Sequence, residues 1–295
     1  MSGKLKRSAV PGKSGSDADL APGLYVTATP IGNAADITLR ALKVLAGCDQ
    51  VAAEDTRVSA KLLAIHGISK PLTAYNDHNA VRERPKLIAQ LRQGARIALI
   101  SDAGTPLISD PGFKLVREVI AEGLPVHAIP GASAVLTGLA LAGLPTDRFF
   151  FAGFLPARSG ERKTALAELK AIRATLVFFE SAQRLAESLA DMVEVFGIRT
   201  GAVTRELTKL HEEVRRGLLS DLLAHYEKAG APKGEVTLIV SPPHEVQADM
   251  GRIDSALDKA LAFMPVRAAV DLVSEMLEAP RKIVYDRALE KKNDG

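Results

Sequence analysis

From Gly23 onward the chain alternates short apolar runs of strand type with longer runs of helical period, and this alternation limits the available folds more than any other feature. "LYVTA", "QVAAED", "RIALI" and "PVHAIPG" read as strands. Helical segments separate them: Thr38 to Leu45, "RVSAKLLAIHG" closed by Gly67, "ERPKLIAQLRQG" with Pro85 in its first turn, and "FKLVREVIAEG". A strand that returns through a helix pairs in parallel with an earlier one, so residues 23–146 are expected to form a wound, mainly parallel α/β domain. "SAVLTGLALAG" adds a helix of small residues before its end.

A second unit is expected over 147–243. "DRFFFAGFLP", "ATLVFFES", "TGAVTREL" and "GEVTLIVSPP" are strand-like, and fewer helices lie between them. That pattern predicts a mixed α/β domain. Pro242 and Pro243 with "HEVQADMG" form a linker, and residues 250–292 read as a small appendage of two or three helices. Residues 1–22, rich in Ser, Gly and Lys, are expected to be a disordered tail.

A parallel sheet gathers the loops that follow its strands on one edge, where wound folds bind ligands. Here these loops are "TPIGNAADIT", "EDTR", "SDAGTPLISDPG" and "PGASA". Each alone is compatible with ordinary turn chemistry; four on one edge favour a ligand site. Gly104 and Gly131 permit close backbone approach, and Pro106, Pro111 and Pro130 stiffen the loops. Ser101 to Gly112 contains two Asp and no Lys or Arg. A polyphosphate is a poor guest there; a phosphate-free ligand carrying ribose hydroxyls, an amine and an adenine ring fits better.

Other chemistries fail on their signatures. No G-x-G-x-x-G follows the first strand, and "GKS" at 12–14 has Arg7 where a phosphate loop needs glycine. There is no G-x-S-x-G elbow. His66, His78, His127, His211, His225 and His244 show no ligand spacing, so no metal is expected. Cys48, the single cysteine, suits a buried position and a reducing, cytoplasmic setting. With 38 Lys+Arg against 35 Asp+Glu the net charge is +3, so any basic surface must be local. No apolar run approaches the roughly 20 residues of a membrane span. Aromatic residues make up 4%, which weakens a base-stacking platform.

"VTATPIGNAADITLRAL", "VAAEDTR", "LISDAGTPLISDPG", "IPGASA", "LPTDRFFFAGFLP", "FFESAQRL", "TRELTK" and "KGEVTLIV" occur in this order. Together they closely resemble the bacterial ribosomal RNA small-subunit methyltransferase I family, in the tetrapyrrole (precorrin-like) methylase superfamily. The resemblance spans about residues 23–290. It implies the two-domain tetrapyrrole-methylase-like fold, S-adenosylmethionine as cofactor in the cleft between the domains, and a homodimer. It also implies 2′-O-methylation of a cytidine ribose in the decoding region of 16S rRNA within the small ribosomal subunit, with no membrane or DNA partner.

By position, "AGTPLI" matches the superfamily's Gly-Asp-Pro loop, with Thr105 standing where that Asp contacts the cofactor. This implicates Asp102, Gly104, Thr105 and Ile108. "PGASA" matches its Pro-Gly-x-Ser loop, with Ala132 in place of a frequent proline, and implicates Ser133 and Ala134. "TPIGN" replaces the first glycine-rich loop, and its Pro30, Gly32 and Asn33 are expected to border the transfer site. A tetrapyrrole methylase should keep the glycine-rich first loop and the Gly-Asp-Pro loop, which this chain lacks. A non-enzymatic RNA-binding module should lack the cofactor loops, which this chain has.

A ribose hydroxyl is a weak nucleophile and benefits from a base. Glu54, Asp55, Glu180 and Glu206 are the candidates, with Arg57, Arg205 and Lys209 available to hold a phosphate or shift a carboxylate. Asp55 and Arg57 are preferred because they follow a strand on the expected cleft edge. Each carboxylate has a structural alternative: Glu54 or Asp55 as a helix cap, Glu180 paired with Arg184, Glu206 paired with Arg205. In the appendage a stripe of Arg267, Arg281, Lys282, Arg287, Lys291 and Lys292 suits RNA phosphates or a solvated helix face equally.

Overall fold

The computed structural model describes residues 20–243, 250–277 and 279–293, with the side chains of 292 and 293 excluded. Residues 1–19 of the expected disordered tail, the linker at 244–249, His244 and the Lys292 side chain lie outside the described residues. Residues 20–22 are ordered instead: Leu20 packs on the first core and Ala21 O accepts the Tyr25 hydroxyl at 2.6 Å.

The first sheet contains β1 (Gly23–Thr27), β2 (Gln50–Ala53), β3 (Leu72–Ala74), β4 (Arg96–Ile100) and β5 (Val126–Ile129), in the order β3-β2-β4-β1-β5. All its pairings are parallel, as the helical crossovers require. Period-2 alternation gives each strand two apolar faces. Leu24, Ile97 and Leu99 pack against α3 (Ala80–Arg92) and α4 (Phe113–Ala121). Tyr25, Ala98 and Ile100 pack against α1 (Leu39–Gly47) and α2 (Thr56–Ile65). The chain leaves β1 over β4 to reach β2, and leaves β4 over β1 to reach β5. The order therefore reverses between β1 and β4, and a crevice opens at their carboxyl ends.

The second sheet is mixed. Its strands are β6 (Phe149–Phe154), β7 (Thr175–Ser181), β8 (Thr200–Arg205), β9 (Glu213–Leu218) and β10 (Glu235–Val240), ordered β6-β7-β10-β8-β9. Only β6 and β7 are parallel; the other pairs are antiparallel. One face buries Leu176, Phe178, Val203 and Leu238 against α6 (Ser159–Leu169), α7 (Leu185–Phe196) and α8 (Leu219–Ala229). The other face, with Val177, Ala202 and Ile239, packs on α5 (Ala134–Ala142). Gly138 allows this approach: a Cβ there would lie 3.3 Å from Thr204 Oγ1 and 3.4 Å from Ile239 Cδ1. Thus α5 begins at a loop of the first sheet and serves as a wall of the second.

Three local readings are corrected. Helix α3 starts at Ala80, so Pro85 lies inside it rather than in its first turn. The Asn79 side chain accepts the Asn76 amide and donates to Ala74 O, both at 2.9 Å, and this turn launches the helix early. Strands β3 and β9 were not anticipated: β3 has three residues, and β9 is a charged edge strand with only partial burial.

The appendage is three helices, α9 (Met250–Leu261), α10 (Val266–Met276) and α11 (Arg281–Asn293), around Ile253, Leu257, Val270, Val273 and Val284. Among the described residues no helix is long and apolar enough to cross a membrane.

Candidate active site

The crevice predicted by the strand order is present, and the second sheet closes it. The loops after β1 and β4 are zipped together: Thr29 N–H donates to Gly104 O at 2.8 Å, and Gly104 N–H to Thr29 O at 3.1 Å. The Thr29 hydroxyl adds a bond to Ser101 O at 3.1 Å. Gly104 sits at φ +75°, where a Cβ would touch Ile31. Leu107 and Ser109 also have positive φ, so the loop keeps unfavourable backbone geometry at the cavity.

A cavity of about 470 Å³ lies between the two sheets. Of the sequence candidates, Glu54, Asp102, Gly104, Thr105, Ile108, Ser133, Ala134 and Glu180 line it. Pro30 and Gly32 do not; Ile31 between them does. Ser133 also caps α5 by accepting the Leu136 amide, and the Thr105 hydroxyl donates to Ala132 O at 3.4 Å. The second sheet contributes Phe154, Phe179 and Val236, which sequence reasoning missed. Their signal was weak, since apolar residues at strand ends are ordinary core until a second sheet is known to face them.

Among the described residues no Lys, Arg or His lines this cavity, whereas Glu54, Asp102, Asp110, Glu180 and Glu235 do. Burial pushes the carboxyls of Glu54, Asp102 and Asp110 above their ordinary range, and for Glu54 the neighbouring Asp110 adds to the rise. A cation entering here relieves that stress. Among the described residues no group of three His, Cys, Asp or Glu side chains is placed to hold a metal ion.

A second, polar cavity of about 530 Å³ adjoins the first, and Glu54, Asp102 and Ser109 line both. Asp55 and Arg57 belong to this second cavity. Asp55 caps α2, accepting the Arg57 amide at 2.8 Å, and its carboxylate grips the Arg57 guanidinium at 2.6 Å. These bonds from Arg57 hold its pKa at about 2. The preferred base is therefore a weak proton acceptor in this state.

The other candidates are also engaged. Glu180 is buried; Arg184 holds its Oε1 at 2.6 Å, Ser181 N–H donates to the same oxygen, and the Ser188 hydroxyl donates to Oε2. The anticipated Glu180–Arg184 pair forms, but Glu180 stands on β7 rather than on a helix. Glu206 does not pair with Arg205. It accepts Lys209 Nζ at 2.7 Å and the Glu235 amide at 3.1 Å, and Lys209 lowers its pKa. Arg205 binds Glu213 at 2.9 Å. Lys209 also reaches Glu235 at 2.8 Å.

Gly32 and Asn33 join the domains. A Cβ on Gly32 would lie 2.5 Å from Lys209 Cγ and 3.0 Å from Leu207 O. Asn33 N–H donates to Thr208 Oγ1 at 3.1 Å, and the Asn33 side chain caps the short turn Ala34–Asp36. The loop they meet carries Glu206 and Thr208, both at positive φ. In the appendage Arg281 pairs with Asp271, Arg287 with Asp254 and Lys291 with Asp258. Three of the stripe's cations are thus neutralised in part by acids of neighbouring helices.

Comparison with known proteins agrees with this geometry. Residues 23–223 match the family model described as Tetrapyrrole (Corrin/Porphyrin) Methylases, and 247–292 match the one described as RsmI C-terminal HTH domain. The chain is 52% identical over 275 residues to the ribosomal RNA small subunit methyltransferase I of Mesorhizobium japonicum, covering 93% of this chain and 94% of that protein. It is 45% identical to the protein of the same name from Escherichia coli O157:H7, covering 90% and 94%. Diphthine synthase superposes with a TM-score of 0.59 at 16% identity, covering 74% of this chain and 89% of that one. A Thermus thermophilus uroporphyrin-III C-methyltransferase complexed with S-adenosyl homocysteine gives 0.52 at 17% identity, covering 74% and 96%. The last two show a shared fold. The chain belongs to the tetrapyrrole methylase family, among the relatives named ribosomal RNA small subunit methyltransferase I.

Proposed function

We propose that this chain is an S-adenosylmethionine-dependent methyltransferase that modifies the 2′-hydroxyl of a cytidine in the decoding region of 16S rRNA, within the small ribosomal subunit. The observation that carries this reading is the cavity between the sheets, lined among the described residues by carboxylates and apolar side chains and by no cation. It suits a phosphate-free ligand with a sulfonium and an ammonium group. S-adenosylmethionine, when bound, supplies an activated methyl group on that sulfonium. Asp102, Gly104, Thr105, Ile108, Ser133 and Ala134 are the residues to hold it, with Pro30 and Gly32 shaping the loop beside it. The relatives' names and the S-adenosyl homocysteine complex support the same reading.

The chain's own groups bind, orient and exclude water. Alignment of reactants alone can lower a barrier by roughly 7–11 kcal/mol. Asn33 and Lys209, on the loops where the two domains meet, Arg205 at the end of β8, and Arg281 and Lys282 of the appendage are the residues to contact the RNA substrate. Self-association as a homodimer is supported by the edge strand β6, which leaves Phe149 and Phe150 more than 40% exposed. A cytoplasmic location fits the buried free thiol of Cys48.

The test is transfer of labelled methyl from S-adenosylmethionine, offered separately to undermethylated small subunits and to a uroporphyrinogen. Label in 16S rRNA supports the reading. Label in the tetrapyrrole, or in neither, overturns it.

A further inference from the structure

The two adjoining cavities differ in chemistry. The first has apolar walls that include Ile31, Ile108, Phe154 and Phe179. The second presents an amide, a carboxylate, an imidazole and a guanidinium, from Asn76, Asp77, His78 and Arg57. Its volume of about 530 Å³ accommodates a nucleotide. The Arg57 side chain is 87% exposed at its rim, even while paired to Asp55. Such a chamber offers donors and acceptors for a base edge and a cation for a phosphate.

Among the described residues only Glu54, Asp102 and Ser109 are common to both cavities, so a group passing between bound partners passes them. Asp102 is oriented by the loop it meets, because its Oδ1 accepts the Asp55 amide at 3.0 Å. Asp110 lines the first cavity alone. Of the two carboxylates that line both cavities, Glu54 is the less engaged. Its side chain has one long bond, from the Asp102 amide to Oε2 at 3.4 Å, while Asn76 Nδ2 steadies its carbonyl at 3.3 Å. Among the described residues no hydrogen bond reaches its other carboxylate oxygen, Oε1, on a residue that lines both cavities.

We propose that the target ribonucleotide enters the polar cavity and that Glu54, in the wall between the cavities, accepts the proton of its ribose hydroxyl. This rests on the ribose-methylation reading above. In the step, the hydroxyl O–H bond breaks and its proton passes to the Glu54 carboxylate. The oxygen's electron pair forms the new O–CH3 bond, and the pair of the old C–S bond stays on sulfur as a neutral thioether. Water reaches Glu54 through the open polar cavity and removes the proton after the product leaves. The elevated carboxyl pKa of Glu54 matches this task, since it makes the carboxylate a better base than an exposed one.

The experiment is single-turnover methyl transfer to undermethylated small subunits by the full-length chain and its Glu54→Gln variant, with S-adenosylmethionine kept saturating at every pH from about 5.5 to 9. Calorimetric affinity for S-adenosylhomocysteine and filter binding to the subunits are measured beside it. The variant is expected to lose about 10²- to 10⁴-fold in rate and the acidic limb of the wild-type profile, with both affinities within about threefold of wild type. A rate within about threefold of wild type, or an acidic limb retained in the variant, overturns the role of Glu54. His78→Ala, an exposed change at the second cavity, is expected to raise KM for subunits about fivefold or more with kcat and cofactor affinity kept. An unchanged KM overturns the nucleotide assignment, even should Glu54→Gln fail to fold. A wild-type chain that methylates ribose with an unaffected Glu54→Gln defeats only this proposal; one that methylates no ribose defeats the parent reading as well.

Discussion

The amide of Asp55 donates a hydrogen bond to Asp102 Oδ1 at 3.0 Å, joining the loop after β2 to the loop after β4. The bond fixes one wall of the inter-sheet cavity from a neighbouring strand. Asp102 is thereby a positioned carboxylate, half-buried and raised above its ordinary pKa by that burial. A bound cation favours its ionised form. Acidification protonates Asp102 and Asp110 sooner than exposed carboxylates, so affinity for S-adenosylmethionine should fall with pH from above the usual carboxylate range. Asp102→Asn should weaken binding about tenfold at neutral pH and flatten that dependence. Calorimetry across pH checks both.

Gly32 is where the first domain touches the β8–β9 loop. A methyl group there meets Lys209 Cγ at 2.5 Å, Thr208 Oγ1 at 2.9 Å and the Leu207 carbonyl at 3.0 Å, and a backbone carbonyl yields less readily than the end of a side chain. Gly32→Ala should therefore spread the two domains at the cleft. Cofactor affinity should drop by about tenfold or more, while each sheet keeps its own core. Calorimetry read beside thermal melting separates this from general destabilisation, which would lower Tm strongly.

Asp55 and Arg57 should divide into two effects. Asp55 has a folded pKa of about 2 against an ordinary 3.8, so its stabilisation is present above the ordinary value and is lost as pH falls through about 2. Asp55→Ala should lower Tm at neutral pH, and the difference from wild type should vanish in strong acid. Arg57→Ala should spare cofactor binding and raise KM for the RNA substrate about tenfold. Melting curves and steady-state kinetics check each.

Glu180 is buried and Arg184 is its ionic partner at 2.6 Å. Removing the cation leaves a buried carboxylate held by Ser181 and Ser188 alone. Arg184→Ala should cost about 3 kcal/mol of stability. Denaturant unfolding reads it, and Arg184→Ala with Glu180→Gln should recover part of the loss.

Much of this site was legible in the sequence because a parallel sheet leaves its strand-end loops one place to go. "TPIGN", "SDAGTP" and "PGASA" contribute to one cavity for that reason, and their lack of positive charge foretold the ligand class. The order of Glu54 and Asp55 was not legible. Adjacent residues at a strand end point in different directions, and only the start of α2 shows that Asp55 is the cap and Glu54 the residue facing both cavities. Gly32 reads as a ligand glycine until Lys209, far along the chain, is found beside it. The appendage's positive charge was visible, but the acids that answer it sit on neighbouring helices: Asp254 on α9 meets Arg287 on α11. Phe154 and Phe179 become cavity walls only once the second sheet is laid over the first.

The central claim is that the inter-sheet cavity presents a methyl group to a ribose hydroxyl of ribosomal RNA. Its most direct test is mass spectrometry of nucleosides released from small-subunit RNA after labelled transfer by the full-length chain. The account predicts label on 2′-O-methylcytidine, mapping to the decoding region. Label on a nucleobase, or on ribose of RNA outside the small subunit alone, would contradict it.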